Sequence, residues 1–207
     1  GLAFLGCQPA KPDPSLHASG ETEADALLAV TGEGLFLESG DVRMRGDFAR
    51  LLPRVRPAFL RSELLVKAAG INKARNASGI RRAIDATAGL GEDSFLLAAA
   101  GFFVTMYEKD PVIAAMLRDA MERAAADERM TEILSRMTLE VQDSIEALRR
   151  MKDDPGAQVD VILLDPMFPE RRKSASVKKK FQLLHILERP CEEEAELVQA
   201  AIDAAPG

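Results

Sequence analysis

The sequence has few of the residues that build a metal centre or a disulfide framework. Its 207 residues include two cysteines, two histidines and no tryptophan. Cys7 and Cys191 lie far apart, and neither His17 nor His185 has a cysteine at the spacing of a zinc ligand. We therefore expect no metal site. Two isolated thiols are typical of a reducing compartment, which predicts a cytoplasmic protein.

Long hydrophobic runs are also missing. No stretch approaches the roughly 18 apolar residues that a membrane-spanning helix needs, so we expect no membrane partner. The opening GLAFLGC has the cysteine of a lipoprotein cleavage site but no basic leader, and a buried strand is the preferred interpretation.

The chain has no excess of positive charge. Its formal net charge of -6 argues against a general nucleic-acid binder. The average conceals an asymmetry, because eleven lysines and arginines but only two acids, Asp47 and Glu63, lie between Arg43 and Arg82. Such clusters can neutralise RNA phosphates locally, with solvated helix faces as the alternative. A second basic cluster comprises Arg171, Arg172, Lys173, Lys178, Lys179 and Lys180.

The pattern of the first 70 residues predicts a small α+β N-terminal domain, residues 1–70. Short strands surround turns at residues 32–34 and 39–41. A helix follows over residues 58–69, and Gly70 ends it. The apolar residues expected to share one face of this helix are Phe59, Leu60, Leu64, Leu65 and Ala68.

From residue 71 to 207 strands alternate with helices, which predicts a doubly wound parallel α/β sheet. The expected strands are residues 82–87, 102–107, 137–141 and 159–164. Asp110 is a predicted N-cap, with Pro111 at the first helical position. The expected helices are residues 93–100, 111–127, 144–152, 175–187 and 192–204.

A glycine turn joins the first of these strands to its helix, in the motif DATAGLG from Asp85 to Gly91. Glycine permits positive φ and lets a ligand approach the backbone closely, as at Gly89 and Gly91. Open α/β sheets bind nucleotides at such a turn, at the carboxyl end of the first strand. A plain structural connection is the alternative.

The residues after the turn favour S-adenosylmethionine over a dinucleotide. The dinucleotide fingerprint G-x-G-x-x-G has Ser94 at its third glycine position here. Glu92 and Asp93 would also repel a pyrophosphate at the helix N-terminus. S-adenosylmethionine has no phosphate, and its sulfonium and ammonium groups suit carboxylates. An oxidoreductase on the same topology is the rival interpretation.

Two further positions follow the second and third strands of the alternation. Glu108 can accept hydrogen bonds from ribose hydroxyls, and Lys109 can line an adenine pocket, with a surface ion pair as the alternative. Asp143 and Ser144 stand where a side chain can contact the adenine edge, although Ser144 could equally cap a helix.

The motif DPMFP, residues 165–169, ends the fourth strand and suits an amine on a nucleic-acid base. Such an amine is a poor nucleophile because its lone pair is delocalised into the ring. Asp165 and the Pro166 carbonyl can accept hydrogen bonds from its two hydrogens, which orients the nitrogen and stabilises its developing positive charge. Phe168 can stack on the base. A strand-ending turn without chemistry is the alternative.

Together, DATAGLGEDSF, YEKDPVIAAML and DPMFPERRKSASVKKKF resemble the bacterial small-subunit (16S) ribosomal RNA guanine-N2 methyltransferases, over about residues 24–204. The resemblance implies a Rossmann-like class I fold, S-adenosylmethionine as cofactor, and the N2 amine of a guanosine in 16S ribosomal RNA as substrate. It implies cofactor contacts at Glu92, Asp93, Glu108, Lys109, Asp143, Ser144 and Asp165.

The chain departs from this family in two ways. RPAFLRSELLVKAAGI replaces a glycine-rich basic link that some members carry, and the chain ends before the later strands that complete the class I sheet. We expect a methyltransferase core that is truncated on its C-terminal side. Alternatives are a methyltransferase for another exocyclic base amine, and a non-catalytic RNA-binding or ribosome-assembly module.

Overall fold

The computed structural model describes residues 2–5, 26–70, 79–152, 159–165 and 193–205. Described residues up to Arg45 belong to one compact unit and those from Gly46 onward to a second. The helix predicted over residues 175–187 lies outside the described residues.

The first unit contains a four-stranded sheet in the order β1-β2-β3-β4. Strand β1 pairs with β2 in parallel, and the other neighbours are antiparallel. The tight turns after β2 and β3 lie where Gly32, Gly34 and Gly40 predict them, and Gly40 has a φ of 54°. The strands are β1 (Leu2–Leu5), β2 (Ala26–Thr31), β3 (Gly34–Ser39) and β4 (Val42–Met44).

The second unit contains the predicted parallel sheet, in the order β7-β6-β5-β8. Its strands are β5 (Arg81–Asp85), β6 (Phe102–Tyr107), β7 (Met137–Glu140) and β8 (Val161–Leu163). Because β6 and β8 flank β5, the chain reverses its direction of progress across the sheet at β5. Open α/β sheets bind ligands at such a switch point, outside the carboxyl ends of the strands.

Two short helices lie before β5, and five more lie in the rest of the described chain. The first two are α1 (Pro57–Leu60) and α2 (Leu64–Ala68), which follow a 3₁₀ turn (Phe48–Leu51). The others are α3 (Glu92–Ala99), α4 (Pro111–Ala124), α5 (Glu128–Leu134), α6 (Ser144–Lys152) and α7 (Glu194–Ala204).

The two faces of the parallel sheet pack against different helices. Ala83 and Ile84 are neighbours in β5, so their side chains point to opposite faces. Ala83 belongs to a buried cluster that includes Phe95 of α3, Leu117 of α4 and Met130 of α5. The cluster around Ile84 contains Ile145 and Leu148 of α6 and Leu197 and Ala200 of α7. The sheet is therefore covered on both sides, as the apolar β8 sequence predicts.

The helix predicted over residues 58–69 is wrong as a single helix. The chain breaks between α1 and α2, where the Ser62 hydroxyl donates to the Phe59 carbonyl at 2.6 Å and competes with helical bonding. Leu60 and Val66 are buried, whereas Phe59 and Leu64 are exposed. The apolar face predicted for one continuous helix therefore does not exist.

The helix predicted over 111–127 ends earlier, and α5 was not predicted. Asp110 caps α4 as expected, because its carboxylate accepts the backbone N–H groups of Val112 and Ile113. Asp127 then caps α5 by accepting the Arg129 N–H at 3.0 Å. Asp127, the last residue of the predicted helix, was therefore the missed start signal of α5.

The residues from Gly46 to Gly70 pack with the parallel sheet. Phe48 stacks on Phe95 with ring centroids 4.8 Å apart, and Leu60 and Val66 form a buried cluster with Leu96 of α3. That residues 1–70 form a domain of their own stays a prediction. In the described residues, the second half of this segment contacts both α3 and α4.

Candidate active site

Asp85, the last residue of β5, is a buried carboxylate that holds the glycine turn in place through hydrogen bonds. Its side chain is 2% exposed. One carboxylate oxygen accepts the Ser94 hydroxyl at 2.6 Å, and the other accepts the Thr87 N–H at 3.2 Å. The carboxylate therefore ties the end of β5 to the first turn of α3.

The two glycines of the turn serve different purposes. Both have left-handed backbone angles, with φ of 52° at Gly89 and 73° at Gly91. A Cβ on Gly91 would lie 2.7 Å from Leu117 Cδ1, so this glycine permits close helix packing. A Cβ on Gly89 would meet nothing within 4 Å, so its backbone borders open space that a ligand can enter.

Glu108 follows β6 and holds the other side of the turn. It is 8% exposed, and its two carboxylate oxygens accept the N–H groups of Gly89 at 3.0 Å and of Asp110 at 2.8 Å. Burial raises the pKa of Glu108, and these hydrogen bonds oppose the rise. Each oxygen keeps a second lone pair that a ribose hydroxyl could use.

The start of DPMFP is joined to the glycine turn by the backbone of Asp165. The Asp165 N–H donates to the Thr87 hydroxyl at 2.8 Å, and the Ala86 N–H donates to the Leu163 carbonyl at 3.0 Å. The two motifs therefore meet at the carboxyl edge of the sheet. Pro166 and Phe168 lie outside the described residues.

The charges of Asp93 and Asp165 act on neighbouring carboxylates at this edge. Burial raises the pKa of Asp85 to about 6, with further contributions from the charges of Asp93 and Asp165. Burial also raises the pKa of Asp93, Asp165 adds to the rise, and the nearby Arg54 guanidinium opposes it. The excess negative charge favours a cationic ligand and disfavours a phosphate.

The raised pKa of Asp85 predicts a pH-dependent stability. Asp85 ionises near pH 3.8 when unfolded and near 6 when folded, so its contribution to stability is present below pH 3.8 and lost as the pH rises through 6. A shift of two pKa units corresponds to about 3 kcal/mol. In Asp85→Asn the amide oxygen can accept the Thr87 N–H and its NH2 can donate to Ser94. We expect this variant to gain stability over the wild type between pH 4 and 7.

Urea unfolding of both proteins at several pH values in this range measures the difference. Asp41→Asn, at an exposed turn, is the control. A stability difference that stays constant with pH would show that Asp85 does not titrate as described.

The remaining predicted cofactor positions lie at the same edge but differ in exposure and bonding. Glu92 is exposed in the first turn of α3. Lys109 is 61% exposed, with its Nζ 3.8 Å from a Glu193 carboxylate oxygen. Asp143 accepts the Ile145 N–H at 2.8 Å, so Asp143 caps α6 and Ser144 is its first residue.

The second basic cluster, residues 171–180, lies outside the described residues. Three residues that the sequence did not single out as site residues prove important to the geometry. The Thr87 hydroxyl accepts a hydrogen bond from the Asp165 N–H and so joins the two motifs, and the Ser94 hydroxyl donates to Asp85. The positive charge of Arg54 partly offsets the negative charges of Glu92 and Asp93 in α3. Thr87 lies inside DATAGLG, so its place in the motif was an available signal.

Comparison with known proteins identifies the class. A family model described as a putative SAM-dependent methyltransferase matches residues 16–206. The chain belongs to this SAM-dependent methyltransferase family. This confirms the resemblance and its cofactor class, S-adenosylmethionine, over the dinucleotide alternative.

Individual relatives agree with this family of SAM-dependent methyltransferases. The chain is 40% identical over 170 residues to "Ribosomal RNA small subunit methyltransferase J" of Acinetobacter baylyi, covering 79% of this chain and 60% of the relative. The protein of the same name from Thioalkalivibrio sulfidiphilus is 37% identical over 198 residues, covering 92% of this chain and 75% of the relative. The chain thus spans only part of the length of these relatives.

A solved structure supports the fold. The crystal structure of a SAM-dependent methyltransferase from Neisseria gonorrhoeae superposes with a TM-score of 0.66 at 25% identity, covering 91% of this chain and 71% of the other. The Rossmann-like class I fold is therefore confirmed. Within the described residues, no helix is long and apolar enough to cross a membrane, and the same residues contain no group of three or more potential metal ligands arranged to hold an ion.

Proposed function

We propose that this protein transfers a methyl group from S-adenosylmethionine to the N2 amine of a guanosine in 16S ribosomal RNA, in the cytoplasm. The observation that carries the proposal is the bond from the Asp165 N–H to the Thr87 hydroxyl. This bond supports the proposal because it holds the backbone of Asp165, whose carboxylate would orient the amine, against the turn that would hold the cofactor. The names of the two bacterial relatives support ribosomal RNA as the substrate class.

The described residues fit S-adenosylmethionine. The open backbone at Gly89 admits a ligand, and Glu108 retains acceptor capacity for ribose hydroxyls. The carboxylates of Asp93 and Asp165 suit positive charge. Lys109, Asp143 and Ser144 would border the adenine, as their positions after β6 and β7 suggest. When bound, the cofactor supplies an already activated methyl group.

The protein's own contribution is orientation and charge stabilisation. Asp165 and the Pro166 carbonyl would accept the two amine hydrogens, which aims the nitrogen and stabilises its positive charge as the N–C bond forms. The methyl–sulfur bond would break as the N–C bond forms, with S-adenosylhomocysteine as the leaving group, and the nitrogen would then lose one proton to water. Phe168 would stack on the base. The basic residues after DPMFP would hold RNA phosphates: Arg171, Arg172, Lys173, Lys178, Lys179 and Lys180.

A labelling experiment tests this function directly. The protein is incubated with methyl-labelled S-adenosylmethionine and with small ribosomal subunits, or their RNA, that lack the modification. We expect label in N2-methylguanosine after nucleoside analysis. Label in another base amine would replace guanine as the substrate, and cofactor binding without any RNA label would favour the non-catalytic assembly module.

A further inference from the structure

In the part of the chain that the structure describes, the segment containing α1 and α2 carries positive charge without a partner. Arg56, Arg61 and Lys67 are exposed, and none of their side chains makes a hydrogen bond or ion pair with any described residue. The one acid of this segment, Glu63, is held by Arg54 through bonds of 2.8 and 2.9 Å. Within the described residues no carboxylate neutralises these three cations, which leaves them for an external anion.

The same segment exposes an aromatic ring and a large aliphatic side chain. Phe59 is 57% exposed and Leu64 is 80% exposed. Single exposed apolar residues are ordinary, but Phe59 lies on a one-turn helix capped by Arg56 and Arg61, which have no partner among the described residues. An exposed ring with cations at nearby sequence positions is suited to stack on a base while the cations meet phosphates.

The two helices that carry this surface pack against α3, the helix that follows the glycine turn. Leu60 and Val66, on the buried side of the same two helices, pack against Leu96 of α3. Leu96 is five residues beyond Gly91, or about 7.5 Å along the helix axis at 1.5 Å per residue. The charge of Arg54 also acts on Asp93 in the first turn of α3.

We infer that Arg56, Phe59, Arg61 and Lys67 form a docking surface for single-stranded RNA, which we call the α1–α2 surface. The cations bind phosphates, and Phe59 stacks on an unpaired base next to the methylated one. The inference rests on the proposed function, because it names a second contact for the same substrate. The positive charge of this surface distinguishes it from the protein as a whole, whose net charge is -6.

Fluorescence anisotropy with a labelled single-stranded oligoribonucleotide tests the surface without requiring turnover. We expect Phe59→Ala to weaken binding about tenfold. For the double variant Arg56→Gln/Arg61→Gln, the slope of log Kd against log salt concentration should fall by about 1.4, since each lost phosphate contact on a single strand removes about 0.7.

The matched control is Arg149→Gln/Arg150→Gln on α6, which packs on the opposite face of the sheet. It removes the same charge from exposed positions, and we expect an unchanged salt slope. Calorimetry should show unchanged S-adenosylmethionine affinity for every variant, which excludes misfolding as the cause.

Three results would overturn the inference. They are no RNA binding by the wild type, equal binding by wild type and α1–α2 variants, or binding to phosphatidylserine-containing vesicles in place of RNA. Failure of the proposed function looks different, because the wild type would then bind RNA through this surface and transfer no methyl group.

Discussion

Asp165→Asn is expected to lower kcat for RNA methylation by about 10²–10³-fold, the range observed when one preorganised charge-stabilising group is removed. Asparagine keeps one acceptor oxygen but loses the negative charge that would stabilise the positive nitrogen. The fold should survive, because the backbone N–H of Asp165, and not its carboxylate, bonds to Thr87. Initial rates at saturating RNA measure the effect.

Asp160→Asn provides the matched control at the other end of β8. The Asp160 carboxylate accepts the Arg82 N–H at 2.8 Å, a bond that an asparagine oxygen can also accept. We expect its rate to stay within a factor of about 2 of the wild type, since surface changes of this kind cost little. An Asp165→Asn enzyme with a wild-type rate would remove Asp165 from the mechanism.

Gly91→Ala is expected to destabilise the protein by about 2–4 kcal/mol, combining left-handed backbone strain with overpacking. The new Cβ would lie 2.7 Å from Leu117 Cδ1 and 3.4 Å from Phe48 Cζ. Both neighbours are fully buried, so neither can move aside without repacking the core. Thermal or urea unfolding measures the loss.

Gly89→Ala should cost less stability than Gly91→Ala but should weaken cofactor binding. Its φ of 52° costs about 1–2 kcal/mol for alanine, and the new methyl group meets no protein atom within 4 Å. The methyl would occupy space proposed for the cofactor, so we expect S-adenosylmethionine affinity to fall at least about tenfold. Equal losses of stability and affinity in the two variants would contradict the separate roles of these glycines.

Much of the second unit was predictable, because strand–helix alternation is a local pattern. The strands 102–107 and 137–141 and the helix 144–152 match the structure closely. Residues 58–69 were misjudged because helical spacing alone does not register the competing Ser62 hydrogen bond. The α5 helix was not predicted, because Asp127 was interpreted as the end of the preceding helix and not as the cap of a new one.

The sequence predicted which residues belong to the candidate site better than it predicted the hydrogen bonds between them. Asp85, Glu108 and Asp165 each lie at or just after the carboxyl end of a parallel strand, and these ends share one edge of the sheet. The cap of α6 shows the limit. Asp143 and Ser144 are both good capping residues, and only the observed bond to the Ile145 N–H distinguishes them.

The sequence by itself determined the sheet class, the glycine turn and the carboxylates around it, because periodicity, turn chemistry and residue type are properties of neighbouring residues. Only the tertiary structure decided that Thr87 joins Asp165 across 78 positions, and that Gly91 serves packing while Gly89 faces open space. It also showed which of the described cations between Arg43 and Arg82 have no partner among the described residues. Those features depend on distances between segments that fold together, and no local pattern encodes such distances.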